Sequence, residues 1–546
     1  MRWFPSLTDV AFLLPLVLLF VRLDGARTML GDGDTGWHLR TGEWILAHGR
    51  VPDRDIFSFT KSGEPWYAWE WLWDVLFGWL HLNWGLPAVV FASSLVLALT
   101  FALLYRLVLR ACDHEFVAVA VTVVACCASA LHWLARPHLF TLLFLVLFLS
   151  ILRRVREGRT RLLAWLPLLM ILWTNLHGGF IAGILLILTY AAGEAAHGLV
   201  EADGERRRDA LRRAWPYFLA AIASLAASFM NPYGYRLHLH IWRYLRDPFL
   251  YRTILEYQPA NFQRGDAIFF EFLLLAGALA AWRSLRRREF TTALLYLFWG
   301  HLALFAVRNI PIFAIVIAAP AAVALREALE ELAAAAVRER LRRWARSFLD
   351  AAAEFAQLDR LPRLHAASVA AALAIAALLF APGATGKFRS EYDHKRYPAR
   401  AIETLGAEAF ADRVFTHDEW GDYLIYRLYP KGKAFVDGRS DFYGSRFNEA
   451  FLNTMNARWG WEQHLEKYGI ETVLLPVDAP LAGALKASSA WRVVYDDGIA
   501  IVFRRAREPQ PSSIVSAGDG TDRDRRVSRP DNFSQPETQS RRRSDT

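Results

Sequence analysis

The segment GDGDTGWHL at residues 31–39 places two carboxylates and an imidazole just beyond a hydrophobic stretch. Asp32 and Asp34 lie two residues apart, and His38 follows four residues after Asp34. Residues 35–48 contain no proline, so a helix can begin here and bring Asp34 and His38 onto one face. The glycines let the backbone turn tightly around a ligand, and a helix N-terminus beside a membrane suits a phosphate. Asp32 and Asp34 could equally be turn and capping residues.

Composition places this segment in an integral membrane protein. Of the 546 residues, 54% are hydrophobic and 14% are aromatic, including 21 tryptophans. About eleven apolar segments are long enough, or nearly so, to cross roughly 30 Å of hydrocarbon. The predicted fold is therefore a multi-span α-helical membrane protein, with spans at residues 9–23, 86–109, 116–133, 139–152, 162–173, 180–197, 214–230, 267–282, 291–307, 311–325 and 366–381.

The net charge of +9 comes largely from arginines in short connections between these spans. They occupy or border every second connection, a distribution typical of cytoplasmic loops. This pattern predicts a cytoplasmic N-terminus, puts Asp32 and Asp34 on the exterior side and removes nucleic acid as a partner. The three cysteines lie in a predicted cytoplasmic loop and within a span, which gives no disulfide framework.

The chain is predicted to divide into a membrane part, an exterior domain and a tail. Residues 1–385 hold the spans, with an exterior acidic and Trp-rich loop at 24–85 and a cytoplasmic helical connector at 326–365. Six tryptophans at residues 66–84 predict an amphipathic helix at the outer interface, in which Glu70 and Asp74 could face water or a site. Residues 507–546 are almost devoid of large apolar side chains and are predicted to be disordered.

Residues 386–506 are predicted to form an exterior α/β domain. Strand patterns alternate with helix patterns, which favours parallel pairing at first and an antiparallel pair at the end. The predicted strands are 413–416, 434–437, 472–476, 491–495 and 499–503, and the predicted helices are 420–429, 446–455 and 461–468.

Short turns on the predicted exterior side are rich in hydrogen-bonding side chains. Four such turns begin at Arg136, Asn175, Asn231 and Arg308. Any one of them is more simply explained as a helix cap, but together they predict a polar, partly cationic cavity, since charge near hydrocarbon is costly. The groups expected to face a phosphate are Arg136, His138, His177 and Arg308, because a guanidinium offers a two-pronged donor.

No phosphate-loop signature, nucleophile elbow or paired-cysteine metal motif occurs in the sequence. ATP-driven and serine-hydrolase chemistry are therefore not leading candidates.

Many spans, an early exterior acidic motif, an interfacial helical loop and an exterior C-terminal domain together resemble the GT-C superfamily of membrane glycosyltransferases. This superfamily includes oligosaccharyltransferase catalytic subunits, protein O-mannosyltransferases and bacterial lipid A aminoarabinose transferases. Asp32-Gly33-Asp34 matches the position of the acidic motif, and residues 66–84 match the interfacial helices.

A second motif, HDEWGDY at residues 417–423 followed by AFVDGR at 434–439, is similar in position to the Trp-Trp-Asp-Tyr-Gly motif of oligosaccharyltransferases. That motif helps to grip the acceptor peptide. Here one tryptophan is absent and a glycine separates Trp420 from Asp422. The alternative is that Trp420 and Tyr423 pack inside the α/β domain.

The resemblance implies transfer of a hexosyl or pentosyl group from a polyprenyl-phosphate-linked donor to a lipid, glycan or protein acceptor. The reaction would take place on the exterior face of a bacterial inner membrane. Asp34 or Asp32 would act as general base in a single inverting displacement, and the two could hold a divalent metal ion, Mg²⁺ or Mn²⁺. The donor phosphate would be bound by His38, Arg136, His138, His177 and Arg308, and the acceptor by Trp420 and Asp422.

Two other classes stay open. A transporter or flippase of lipid-linked saccharides would use the same polar turns, but it would favour an ionisable group at mid-membrane over an acidic pair in an exterior loop. A polymerase or ligase of lipid-linked saccharides would depend on large exterior loops deeper in the chain. The main candidate for such a loop, residues 231–266, is only moderate in size.

Overall fold

Helices dominate the fold, because in hydrocarbon a helix satisfies its backbone hydrogen bonds within its own segment. The computed structural model describes residues 3–201, 203–335, 339–359 and 363–506. The predicted disordered tail at 507–546 lies outside the described residues. The helices are α1 (Leu7–Val17, continued by a π-helical turn at Leu18–Arg22), α2 (Ala26–Met29), α3 (Asp34–His48), α4 (Trp71–Cys112), α5 (Glu115–Ser129), α6 (His138–Arg156), α7 (Trp165–Leu176), α8 (Ile181–Val200), α9 (Gly204–Ala227), α10 (Tyr235–Leu245), α11 (Pro248–Thr253), α12 (Ala267–Arg286), α13 (Phe290–Phe305), α14 (Ile310–Ala334), α15 (Glu339–Asp359), α16 (Ala366–Leu379), α17 (Ala399–Leu405), α18 (Asp418–Leu428), α19 (Ser440–Tyr443), α20 (Ser445–Met455), α21 (Trp461–Lys467) and α22 (Pro480–Ala487).

All eleven predicted spans overlap these helices, which confirms a multi-span helical membrane protein. In the described ranges, six helices are long and apolar enough to cross a membrane, and three further apolar helices are shorter. The six are Trp71–Cys112, Glu115–His132, His138–Arg156, Gly178–Val200, Ala267–Arg286 and Val307–Ala334. The shorter ones are Thr160–Leu176, Phe290–Phe305 and Ala366–Leu379. The other two predicted spans fall on α1 and α9.

Helix α4 unites the predicted interfacial helix with the predicted second span. Gly85 interrupts the helical geometry between the two parts with φ 69° and ψ −167°, a conformation that glycine adopts without a steric penalty. Before this kink Trp79 and Trp84 are exposed, whereas Trp73 is buried. The helix predicted from residue 66 begins only at Trp71.

Helices α3 and α4 cross in direct backbone contact. A Cβ on Gly42 would overlap the carbonyl group of Asp74, and a Cβ on Gly78 would lie 2.9 Å from the backbone of Gly42. This glycine contact fixes α3 against the first part of α4 and brings His38 beside Asp74.

The α/β region contains one four-stranded sheet in the order β1-β2-β4-β3. Its strands are β1 (Val414–Thr416), β2 (Thr472–Pro476), β3 (Trp491–Asp496) and β4 (Ala500–Arg505). Strands β1 and β2 are parallel, with Phe415 opposite Val473, and the other two pairings are antiparallel. This confirms the predicted pairing, and the three predicted helices correspond to α18, α20 and α21.

The predicted strand at residues 434–437 is wrong. Ala434 forms only isolated bridges, to Ser58 and to Val414. Its N–H donates to the carbonyl of Phe57 at 3.0 Å, and its carbonyl accepts from the N–H of Phe59 at 3.1 Å. The early loop at 24–85 therefore takes the hydrogen bonds that a neighbouring strand would have used.

Candidate active site

Asp32 and Asp34 meet on one guanidinium. Arg136 Nη1 donates to Asp32 Oδ2 at 2.9 Å, and Arg136 Nη2 pairs with Asp34 Oδ2. The backbone N–H of Asp34 donates to Asp32 Oδ1 at 2.8 Å, and Trp37 Nε1 donates to Asp34 Oδ1 at 3.2 Å. The structure thus brings together both predicted catalytic carboxylates and one predicted phosphate ligand.

The turn that carries Arg136 is held directly against this acidic segment. The N–H of Ala135 donates to the carbonyl of Met29 at 2.7 Å. Thr35 Oγ1 donates to the carbonyl of Ala135 at 3.2 Å. These bonds on either side of the acidic pair place Arg136 where both carboxylates reach it.

Helix α18 approaches α3 through glycines. A Cβ on Gly33 would lie 2.8 Å from the Cβ of Asp422, and a Cβ on Gly36 would lie 2.7 Å from the Cβ of Tyr426. Arg40 Nε donates to the carbonyl of Tyr426 at 2.8 Å. Larger residues at either glycine would push α18 away from the acidic segment.

A third carboxylate, Asp422, reaches the same place. Its Oδ1 accepts from the N–H of Gly438 at 2.8 Å. A Cβ on Gly438 would overlap Asp34 Oδ1 and lie 3.0 Å from Asp422 Oδ2. Gly438 therefore touches both carboxylates, and residue 438 has no room for a side chain.

Burial raises the pKa of two of these carboxyl groups, Asp34 and Asp422. Burial raises the pKa of Asp34 to about 7, with Asp32 adding to the rise and Arg136 opposing it. Burial and the charges of Asp34 and Asp437 raise the pKa of Asp422 well above its ordinary value. Two close carboxyl groups resist double ionisation. A buried carboxyl group with such a raised pKa is typical of proton-transfer sites.

His38 turns toward α4 and does not pair with Asp34. Its Nδ1 lies 2.7 Å from Asp74 Oδ1. The ring stacks on Trp37 with centroids 3.6 Å apart, and it meets Trp73 edge to face with centroids 5.3 Å apart. Burial and the positive charge of Arg136 lower the pKa of His38 well below its ordinary value. We therefore describe His38 as a neutral, firmly oriented imidazole.

The remaining predicted phosphate ligands gather around Glu256, which the sequence pattern did not indicate. Arg308 Nη1 donates to Glu256 Oε1 at 3.1 Å, and His132 Nε2 lies 3.6 Å from Glu256 Oε2. Burial would raise the pKa of Glu256, but Arg308 and Arg136 hold it below its ordinary value. The only local sequence signal was that Glu256 is one of three acidic residues in the segment 231–266, which precedes α12.

Three histidines lie beside this ion pair. The rings of His132 and His138 are 4.3 Å apart, and those of His138 and His177 are 6.4 Å apart. His177 Nδ1 lies 2.7 Å from Thr141 Oγ1 and accepts from the N–H of Gly179 at 3.0 Å. The cationic cluster, as we name it, consists of Arg136, His132, His138, His177, Glu256 and Arg308.

Two solved structures are similar to this chain in fold. One similar structure is that of AglB from Archaeoglobus fulgidus, an archaeal oligosaccharyltransferase in complex with an inhibitory peptide and a dolichol-phosphate. Its sequence is 14% identical to this one. The match covers 93% of this chain and 74% of that chain, with a TM-score of 0.52. The apo form of the Archaeoglobus fulgidus oligosaccharyltransferase is 15% identical, with 93% and 75% covered and a TM-score of 0.50. The chain has a GT-C-like fold. No protein-family model matches the sequence, and no curated protein matches it.

In this GT-C-like chain, the predicted acceptor motif contributes one side chain to the acidic site. Trp420 is 4% exposed, and its Nε1 donates to the carbonyl of Arg396 at 2.8 Å. Tyr423 is also buried and accepts from Arg427 Nη1 at 2.9 Å. Trp420 and Tyr423 thus pack inside the α/β region, while Asp422 faces Asp34.

The acidic pair of this GT-C-like chain already shares one guanidinium. Across the described ranges, no three His, Cys, Asp or Glu side chains are arranged as a metal site. A divalent metal ion held by Asp32 and Asp34 stays a prediction.

A buried ion network includes both chain neighbours of Gly438, Asp437 and Arg439. Arg439 Nη2 donates to Asp55 Oδ1 at 2.8 Å and to Asp437 Oδ2 at 2.6 Å. Tyr443 donates its hydroxyl to Asp437 Oδ2 at 2.8 Å. We call these four residues the Arg439 network. It ties the early loop to the segment that touches Asp34. No sequence motif indicated Asp55.

Proposed function

We propose that this protein is a membrane glycosyltransferase that takes a sugar from a polyprenyl-phosphate-linked donor. The observation that carries the proposal is the convergence of Asp32, Asp34 and Asp422 beside Arg136. Proton-accepting carboxylates and a phosphate-binding cation are the two groups that such a transfer needs side by side. One similar structure was solved with a dolichol-phosphate, which supports a lipid-linked donor.

In the proposed reaction Asp34 is the general base. Its carboxylate accepts the proton of an acceptor hydroxyl or amide as the acceptor atom attacks the anomeric carbon. The new glycosidic bond forms while the bond from the anomeric carbon to the phosphate oxygen breaks, and a single displacement inverts that carbon. The proton remains on Asp34, whose pKa of about 7 suits this exchange.

The cationic cluster would stabilise the departing phosphate. Negative charge accumulates on the phosphate oxygens as the bond breaks, and buried cations stabilise such charge more strongly than water does. Arg136 joins the two halves of the site, because it pairs with both carboxylates and its charge also acts on Glu256. His38 would add a fixed imidazole, and Trp420 would hold the α18 segment for the acceptor.

The proposed setting is the exterior face of a bacterial inner membrane. The acidic site lies at one end of α4, and the arginine-rich connection after α6 lies near the other end of the same helix. Arginine-rich connections are typical of the cytoplasmic side, which supports a cytoplasmic N-terminus.

The test is the Asp34→Asn variant, assayed in purified form and in cells. With a lipid-linked sugar donor and acceptor, the wild type should release free polyprenyl phosphate, and Asp34→Asn should release at least about 100-fold less, because general-base catalysis is worth roughly that factor. Cells carrying the variant should match a deletion strain, with one glycan missing and the donor accumulating. Asp24→Asn, an exposed aspartate earlier in the same loop, is the matched control.

Two outcomes would overturn the proposal. A wild-type protein that binds the lipid-linked sugar and leaves it chemically intact is a transporter. A fully active Asp34→Asn variant, present at normal abundance in the membrane, would reduce the acidic pair to a helix cap.

A further inference from the structure

Four arginines line a cavity at the opposite end of α4 from the acidic site. The cavity measures about 230 Å³ and lies between the last turns of α4 and α6 and the connection that follows α6. Its walls are formed by Leu107, Arg110, Ser150, Arg153, Arg154, Glu157 and Arg159.

The positive charge around this cavity exceeds the negative charge. Arg153 Nε lies 3.2 Å from Glu157 Oε1, and Arg153 Nη2 donates to the carbonyl of Arg110 at 2.8 Å. Among the described residues, the side chains of Arg110, Arg154 and Arg159 make no hydrogen bond or ion pair. The single carboxylate in the wall, Glu157, is paired with Arg153, so within the described ranges the other three guanidinium groups line the cavity without an ion pair of their own.

An apolar stripe begins directly beyond the cavity. Trp165, Leu168 and Leu172 of α7 are 57%, 54% and 48% exposed. Their spacing places them on one side of the helix, and α7 follows Arg159 after one short 3₁₀ turn, Thr160–Ala164. A cationic cavity that continues into an exposed apolar stripe matches a ligand with an anionic head and a hydrocarbon tail.

We propose that this cavity binds the headgroup phosphate of an anionic phospholipid, with an acyl chain along α7. Basic pockets between membrane helices on the cytoplasmic side suit such headgroups, and the arginine distribution predicts this end of the spans to be cytoplasmic. Pockets for drug-sized ligands begin near roughly 300 Å³, so a cavity of about 230 Å³ suits a small group such as a phosphate with its glycerol. The site is separate from the acidic site and does not rest on the proposed function.

The experiment measures lipid binding to the full-length protein in phosphatidylcholine nanodiscs or micelles. Dioleoyl phosphatidylglycerol is titrated and bound lipid is counted by native mass spectrometry. The Arg110→Gln/Arg154→Gln double variant should bind phosphatidylglycerol about 10-fold or more weakly, because each arginine near the surface contributes attraction to an anionic lipid. The matched control is Arg206→Gln/Arg208→Gln, which removes the same charge from exposed positions on α9.

Further arms separate a lipid site from a site for free anions. Inorganic phosphate at millimolar concentration should not displace the lipid, and added phosphatidylcholine should not saturate the site. If the double variant does not fold, the single variant Arg159→Gln provides the test, because Arg159 is exposed and lies between helices. This variant should bind the lipid about threefold more weakly. Equal lipid binding by wild type and variants, or full displacement by inorganic phosphate, would overturn the proposal.

Discussion

Gly438 controls how closely the acidic segments of the site approach each other. In Gly438→Ala the new methyl group would overlap Asp34 Oδ1, while the N–H of residue 438 stays tied to Asp422. We expect sugar transfer to fall about 100-fold, because a displacement of about 1 Å at a reacting group costs that much. The measurement is the rate of polyprenyl-phosphate release. Gly483→Ala, whose methyl group would enter open space in α22, is the control and should keep full activity.

The raised pKa of Asp34 sets the expected pH dependence. A general base must be ionised, so kcat/KM should rise with pH through about 7, the pKa of Asp34, and level off above it. Asp32→Asn removes a neighbouring negative charge and should move this midpoint to lower pH. A pH–rate profile of the wild type and the Asp32→Asn variant tests both statements. A wild-type profile that stays flat through neutral pH would contradict them.

At the scale of single residues, the sequence indicated which side chains lie near the acidic pair, but it did not indicate which residues they contact. Asp34 and Arg136 were both expected at the site, and they pair in the structure. Glu256 was missed, because its importance comes from Arg308 and Arg136, which lie far from it in the chain. His38 was expected near the phosphate, but its partner is Asp74, which only the crossing of α3 and α4 brings within reach.

At the scale of elements, the crossing of α3 and α4 depends on glycine. Gly42→Ala would place a methyl group on the carbonyl of Asp74, and neither backbone can move without separating the helices. We expect a loss of about 1 to 3 kcal/mol in the free energy of unfolding, as for other overpacked interiors. Thermal unfolding in detergent measures this, with Gly204→Ala in open space as the control. An unchanged melting temperature would mean that the helices do not touch there.

Helices and strands were predicted correctly from the sequence where a local pattern determines them. Helices α18, α20 and α21 and the four strands fall close to their predicted positions, because hydrophobic periodicity acts within each segment. The segment at 434–437 has the same strand pattern, yet Phe57 and Phe59 of the early loop take its hydrogen bonds. The count of predicted spans was higher than the six helices of sufficient length, since some apolar runs form helices of only 10–17 residues.

On the scale of the whole molecule, the Arg439 network joins the early loop, through Asp55, to the C-terminal segment that contains Gly438. Asp55 accepts hydrogen bonds from the N–H groups of Phe57 and Ser58 and from Arg439. Asp55→Ala would leave the buried guanidinium without one partner, and breaking a buried ion pair costs roughly 3 to 5 kcal/mol. We expect a lower melting temperature and faster trypsin cleavage of the early loop. Asp53→Ala, an exposed aspartate in the same loop, should leave both measurements unchanged.

The overall layout followed from composition and charge, but the assembly of the site did not. Apolar runs and arginine-rich turns indicate spans and their order without reference to distant residues. Asp55 and Arg439 are 384 residues apart in the chain, and no local pattern reports such a contact. The resemblance to GT-C enzymes implied catalysis by the early loop and acceptor binding by Trp420 and Asp422, but only the packing of α18 on α3 shows that the two segments meet.

The glycine contact between Gly438 and Asp34 also orders events during biosynthesis. Translation produces α1 and the acidic loop first, whereas Asp422 and Gly438 follow only after α16. Until then the nascent chain carries the acidic pair without its third carboxylate and without the Arg439 network that closes over it. Under the proposed function, truncated or unfinished chains should therefore be inert, because the site is complete only once the C-terminal region has been translated.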